Sequence, residues 1–314
     1  NISVGSRDWI ASVTGQGADL YFVSKDRGSD SNDGKARDVP VRTWQKAIDL
    51  ATDNRLTVVL GEPGEYAEAV NVNKRRIALI GDTRHPGATR IVHDSSTSRA
   101  SLYVGDGFLS GFAAVNLGFD TGAAASTSQS RPCIHLVTDD TGTLGAESAD
   151  YHFYLENIQI VSDGTPIAAL YLEGATVGKI KDSTFAGCDL GIVFGGSLNN
   201  FPADIELSNV RLYNNVRADV ASANSNAPGG HPTALNLATI GTLDSVLFDS
   251  FKFMDVGGTP VTNYVNLEVT TATNVIFSDA RFARDIADGT LMQLGSNIVV
   301  LGHSPAGLES FTAA

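Results

Sequence analysis

Two carboxylates have the spacing best suited to chemistry, Glu206 and Asp244. On adjacent strands, offset by two residues, their backbones would lie roughly 8 Å apart. At that separation one carboxyl group can protonate a leaving oxygen while the other activates a water, the inverting mode of glycoside hydrolysis. A second set is aromatic and amide. Tyr103, His135, Tyr171, Asn236 and Asn266 recur at one place in successive strand-like segments, with Glu173 and Glu268 beside them. Exposed rings and amides on one flat face suit sugar stacking and hydrogen bonding. The same face also suits subunit packing or plain surface. Other chemistries lack their residues. The six histidines show no H-x-x-x-H spacing and the cysteines no paired spacing, so no zinc site is expected. The densest acidic group, Asp139, Asp140, Glu147 and Asp150, lacks the regular spacing of a calcium loop. There is no Gly-rich phosphate loop and no serine nucleophile elbow. No metal and no cofactor is expected.

The elements that must position these residues show as a six-residue pattern: apolar, any, Asn/Asp/Ser, any, any, apolar. It reads AVNLGF, LENIQI, IKDSTF, LSNVRL, LDSVLF and FSDARF, and returns every 25–41 residues. Its polar position is Asn116, Asn157, Asp182, Asn209, Ser245 and Asp279. A constant strand with variable loops is the mark of a solenoid. The polar position resembles an internal ladder, in which stacked side chains satisfy backbone groups at a corner. A second strand per turn reads SLYVG, CIHLV, ALYLE, GIVFG, ALNLA and YVNLE. Alternation turns Leu102, Val104, Ile134, Leu136, Leu170, Leu172, Ile192, Phe194, Leu235, Leu237, Val265 and Leu267 inward. On the pattern-bearing strands, Glu156–Lys181 and Lys179–Glu206 become neighbours on successive turns, surface ion pairs worth little energy.

Composition agrees. The 314 residues include 32 glycines and only 18% charged residues, which suits short strands and tight turns. A net charge of −13 argues against a nucleic-acid partner. Cys133 and Cys188 make no disulfide framework. No apolar run has the length of a membrane span, and the first residues do not read as a signal peptide. Residues 1–19 read as a polar arm carrying Trp9, Ile10 and Val13. Residues 20–82 form the start of the solenoid, 83–303 its coils, and 304–314 a tail. Trp44, Ala47, Ile48 and Ala51 share one helical face, fit to cover the open end of a solenoid. Three excursions, Thr121–Arg131, Thr138–Asp150 and Asn214–Pro232, leave the rod.

The order of signals in Leu20–Asp82 carries a resemblance. A strand, the turn GSDSNDG, a W-x-x-A-I helix, VVL, PGEY and IALIGD follow one another. This resembles the start of right-handed parallel β-helix proteins of the pectate-lyase-like superfamily, most of all bacteriophage spikes and tailspikes. The resemblance implies an all-β, single-stranded right-handed parallel β-helix with an N-terminal capping α-helix. The lyases it resembles use an acidic calcium cluster and an arginine base, and no such cluster falls in one column here. The expected function is therefore a bacteriophage virion protein, a spike, fibre or surface decoration. It would be homotrimeric, at the virion surface or extracellular, among other virion proteins and able to bind a bacterial surface polysaccharide. The alternatives are a polysaccharide lyase or glycoside hydrolase, and a ligand-free scaffold.

Overall fold

A computed structural model describes residues 17–92, 100–105, 108–120, 132–137, 152–162, 167–195, 202–213, 215, 218–223, 240–254, 263–267, 269–282, 292–294, 298–304 and 311–313. Every strand pairing among them is parallel, and the partner is the equivalent strand one turn away. Successive turns stack three strands into three parallel walls. The first wall runs from Asp19–Val23 through Phe153–Glu156 and Ala203–Ser208 to Ile298–Ser304. The second holds short strands such as Gln159–Val161 and Thr184–Ala186. The third is a nine-stranded sheet from Val70–Val72 to Phe311–Ala313. Winding is right-handed, the hand that twisted parallel strands impose on their crossovers.

The core follows from alternation. Leu102, Val104, Ile134, Leu136, Leu170, Leu172, Ile192 and Phe194 all point into one buried cluster. From the first wall come Leu155, Ile180, Leu207, Phe248 and Phe277. Phe248 and Phe277 stack face to face at 4.1 Å between ring centroids, one turn apart. Phe153 fills the place of a missing neighbour. A Cβ on Gly178 in the next turn would fall 2.1 Å from its ring.

The helix is Trp44–Leu50, with Trp44, Ala47 and Ile48 buried. Thr43 caps it by accepting from the Lys46 N–H at 3.2 Å. The Glu68 carboxylate accepts from the N–H groups of Trp44 (2.9 Å) and Gln45 (3.1 Å). Burial outweighs these bonds and pushes Glu68 up to about 6. Trp44 lies on Gly61, where a Cβ would meet its ring at 2.1 Å. The turn before the helix is held by Asp30, which accepts from the N–H groups of Arg42 (2.9 Å) and Thr43 (3.0 Å).

Two sequence expectations need correction. The strand between Leu190–Gly195 and Asn263–Leu267 in the third wall is Ala218–Ala223, not 234–238. Part of the expected excursion Asn214–Pro232 is therefore wall. Alanine and serine in ADVASA hide the alternation that marks other strands. The second correction concerns Ser245. The pattern fits FDSFKF as well as LDSVLF, and the rod uses the former. Asp249 pairs with Ser208 and Ser278, which puts Ser250 in the column of Asn209 and Asp279.

Candidate functional site

Two columns of left-handed backbone frame the first wall. One holds Arg76, Gly111, Val177, Asp204, Ser245 and Asn274, all with φ between 50° and 69°. The other holds Asn116, Asn157, Asp182, Asn209, Ser250 and Asp279, with φ between 50° and 57°. Asn and Asp tolerate this conformation better than other residues with a Cβ, which explains the polar position of the repeat. Asn157 donates from Nδ2 to Oδ1 of Asn116 at 2.8 Å, and Asn209 to Oδ1 of Asp182 at 2.7 Å. The corner backbone bonds likewise run between turns, as from Asp182 N–H to the Ser208 carbonyl at 3.1 Å. Val177 is the β-branched member of its column. Its branched side chain has φ 51°, a strained conformation.

Between these columns the strands turn alternate residues outward. Tyr154, Lys179, Glu206 and Leu247 form one outward column, and Glu156, Lys181, Ser208 and Asp249 the next. A groove of about 420 Å³ opens here. Ala113, Gly178, Tyr154, Lys179 and Glu206 lie along it, and His152, Val177 and Asp204 stand at its rim. The charges beside it are paired. Lys179 Nζ meets Glu206 Oε1 at 2.7 Å. Lys181 Nζ meets Glu156 Oε1 at 3.1 Å, and Tyr154 donates to Glu156 Oε2 at 2.9 Å. Burial, and then the charge of Glu156, push the Tyr154 hydroxyl up to about 12. Burial opposes the charge on Lys181, yet Glu156 holds it above the ordinary lysine value.

Glu206 and Asp244 do not stand as the sequence spacing suggests. Glu206 is opposite Leu247, and Asp244 is opposite Ala203, three residues further back. The displacement has the same cause as that of Ser245. Glu206 turns toward Lys179, on the turn before, while Asp244 accepts from its neighbour Ser245 at 3.2 Å. The wall thus gives each carboxylate a different partner on a different turn.

The expected sugar-facing column is a correction of another kind. Tyr103, His135 and Tyr171 are in register on the outer side of the third wall. They are not exposed: His135 is 1% and Tyr171 0% accessible. His135 stacks on Tyr171 at 4.7 Å, meets the edge of Tyr103 at 5.4 Å, and pairs its Nε2 with Glu173 Oε2 at 2.8 Å. Tyr171 packs with Ile167, Leu190 and Val193 in a second apolar cluster outside the rod's core. Alternation says which side of a wall a residue faces, not whether another layer covers that side. Asn266 is placed only by its backbone, opposite Ala221 and Gln293. Asn236, Glu268 and the acidic group Asp139, Asp140, Glu147 and Asp150 lie outside the described residues. Among the described residues no cluster of His, Cys, Asp and Glu could hold a metal ion. None of their helices is long and apolar enough to cross a membrane.

The fold has clear relatives among solved structures. Pectin methylesterase from carrot aligns with a TM-score of 0.55 over 92% of this chain and 83% of its own, at 16% identity. Pectate lyase Pel9A aligns with a TM-score of 0.51 over 93% and 78%, at 12% identity. ORF18 of Geobacillus virus E2 aligns with a TM-score of 0.46 over 97% and 65%, at 9% identity. No protein-family profile and no curated protein sequence matches the chain. At these identities the likeness defines the class by fold alone: the chain is a right-handed parallel β-helix.

Proposed function

We propose that this chain is a non-catalytic rod of a bacteriophage particle, a spike, fibre or surface decoration, and that its first-wall groove binds a bacterial surface glycan. One observation carries the binding half. The groove has an aromatic ring and hydrogen-bonding groups, while Glu206 and Glu156 beside it are each committed to a lysine. A glycosidase of the two-carboxylate type needs one acid held protonated and another free, facing each other across the scissile bond. The groove offers instead a ring to stack on and paired charges to hydrogen-bond hydroxyls. Placement on a particle and trimeric assembly rest on the resemblance of residues 20–82 to phage spikes.

The test uses the full chain and a panel of bacterial capsular and O-chain polysaccharides. Calorimetry should find binding, with no new reducing ends or unsaturated products. Tyr154→Ala and Lys179→Ala should each weaken that binding about tenfold. Product release that is lost in Glu206→Gln would replace this reading with the enzyme. Light scattering should give the mass of three chains, and a monomer would remove the trimeric spike.

A further inference from the structure

Two walls of the rod treat charge differently. On the first wall the strands set acids opposite bases: Glu156 faces Lys181 and Lys179 faces Glu206, each pair one turn apart. On the second wall an outward column runs Gln159, Thr184, Arg211, Lys252, Arg281 and Ser304 on successive turns. Alternation fixes its side, because Ile160, Phe185, Leu212 and Phe253, the next residues along each strand, lie in the core. Arg211 thus stands opposite Lys252, and Lys252 opposite Arg281. No other pair in the described registers sets like charges opposite each other. Like charges across a ladder are destabilising. The chain has 35 acids to 22 bases, yet no acid enters these rungs.

Arg211 and Arg281 are exposed and Lys252 is half-buried. Arg281 pairs with Asp279 of its own turn at 2.9 Å. Arg211 and Lys252 have no acid partner among the described residues. Rungs are roughly 4.8 Å apart, so the three cations span about 10 Å along the rod axis. A regular row of cations builds a positive local potential, and anions settling along it relieve the repulsion. Tyr213, two residues beyond Arg211 on the same outer side, is half-buried and offers a ring for a sugar face. A second copy of this chain brings no matching row, since no acid stands opposite an acid in the described registers. We propose that Arg211, Lys252 and Arg281 form a binding site for a linear acidic glycan. The polymer lies along the rod axis, with its carboxylates or phosphodiesters against the cations and a sugar ring on Tyr213. The guanidinium forks suit either anion. The site is on a different wall from the groove and stands without the reading given to that groove.

The test titrates the full chain with two probes, polygalacturonate for carboxylates and poly(glycerol phosphate) for phosphodiesters. Calorimetry at low salt should find binding to at least one of them, weakening as salt rises. Whichever polymer binds names the anion. Arg211→Gln and Lys252→Gln should each weaken that binding about tenfold, the loss of a charge-assisted contact. Lys35→Gln, which removes an exposed cation from the turn before the helix, should leave it unchanged. Lys252→Gln should also keep or raise the denaturation midpoint, because it removes like-charge repulsion. A lowered midpoint would give the column a structural partner and overturn the proposal. Absence of binding to both polymers would overturn it too, as would binding indifferent to both ladder variants. Tighter binding of single-stranded DNA than of either polymer would overturn it in favour of a nucleic acid. Each of these failures leaves the groove reading standing, because no ladder residue lines the groove.

Discussion

Two outward faces of the same rod have opposite fates. On the third wall, Tyr103, His135 and Tyr171 point away from the core, yet they are sealed into a second packed layer. On the first wall, Tyr154, Lys179 and Glu206 point away from the core and border an open groove. Period-two alternation is identical in both. What differs is the chemistry of the neighbours. Val193, Leu190 and Ile167 give the third-wall rings apolar company, whereas Lys181, Glu156 and Ser208 flank the first-wall column with polar groups, two of them paired. Being outward in a β-solenoid is a topological fact, and being exposed is an energetic one.

The sharpest break of this comparison is a pair of matched truncations. Tyr171→Ala should cost about 3–5 kcal/mol in chemical denaturation, as expected for a buried aromatic. Tyr154→Ala should cost about 1–2 kcal/mol, mostly from the bond to Glu156. Equal costs would erase the distinction between the two faces. Next come the corners that frame the groove. Asn157→Ala should lose about 1–2 kcal/mol, since it forfeits the bond to Asn116 and places a Cβ-only side chain at φ 53°. At Val177 the sign reverses. Val177→Gly should gain about 1 kcal/mol by relieving the strained φ, minus the backbone freedom that glycine brings.

The cap supplies a pH test that neither face should show. Glu68 is raised from 4.5 to about 6 in the folded chain. A raised acid stabilises the fold fully below its unfolded value and loses that contribution as pH rises through the folded one. Stability should therefore fall by about 1–2 kcal/mol between pH 4.5 and 6.5 from this group. Glu68→Gln should flatten that slope, as read from denaturation midpoints across the range. The smallest effect belongs to the exposed pair: Lys179→Ala should change stability by no more than about 0.5 kcal/mol, while weakening glycan binding. A large stability loss there would make the groove structural.

Much of the fold was legible because its signals are local. Trp44, Ala47, Ile48 and Ala51 mark the cap by helical period, and all four are buried. Leu170 and Leu172 mark a wall by alternation and both reach the core. Register failed where two readings overlap. LDSVLF and FDSFKF share Phe248, and only pairing with Ser208 and Ser278 chooses between them. The strand Ala218–Ala223 was hidden because small residues do not alternate in hydropathy. The candidate site suffered most. A shift of five residues moved Asp244 away from Glu206, and burial of the third-wall rings depends on contacts that no single strand encodes.

The two left-handed columns have a constant relation. Gly111 and Asn116, Val177 and Asp182, Asp204 and Asn209, Ser245 and Ser250, and Asn274 and Asp279 all bound the same short stretch of wall. This stretch and the short second-wall strand after it keep one length from turn to turn, while the number of residues from one such unit to the next varies. The molecule therefore works like a measuring tape with fixed divisions and replaceable slack. Cutting out Val177 through Ala203 would join Thr176 to Asp204, its neighbour's successor in register, and shorten the rod by one division with every later mark intact. Length becomes something that gene duplication or a protein engineer can edit by whole turns, without redesigning what lies on either side.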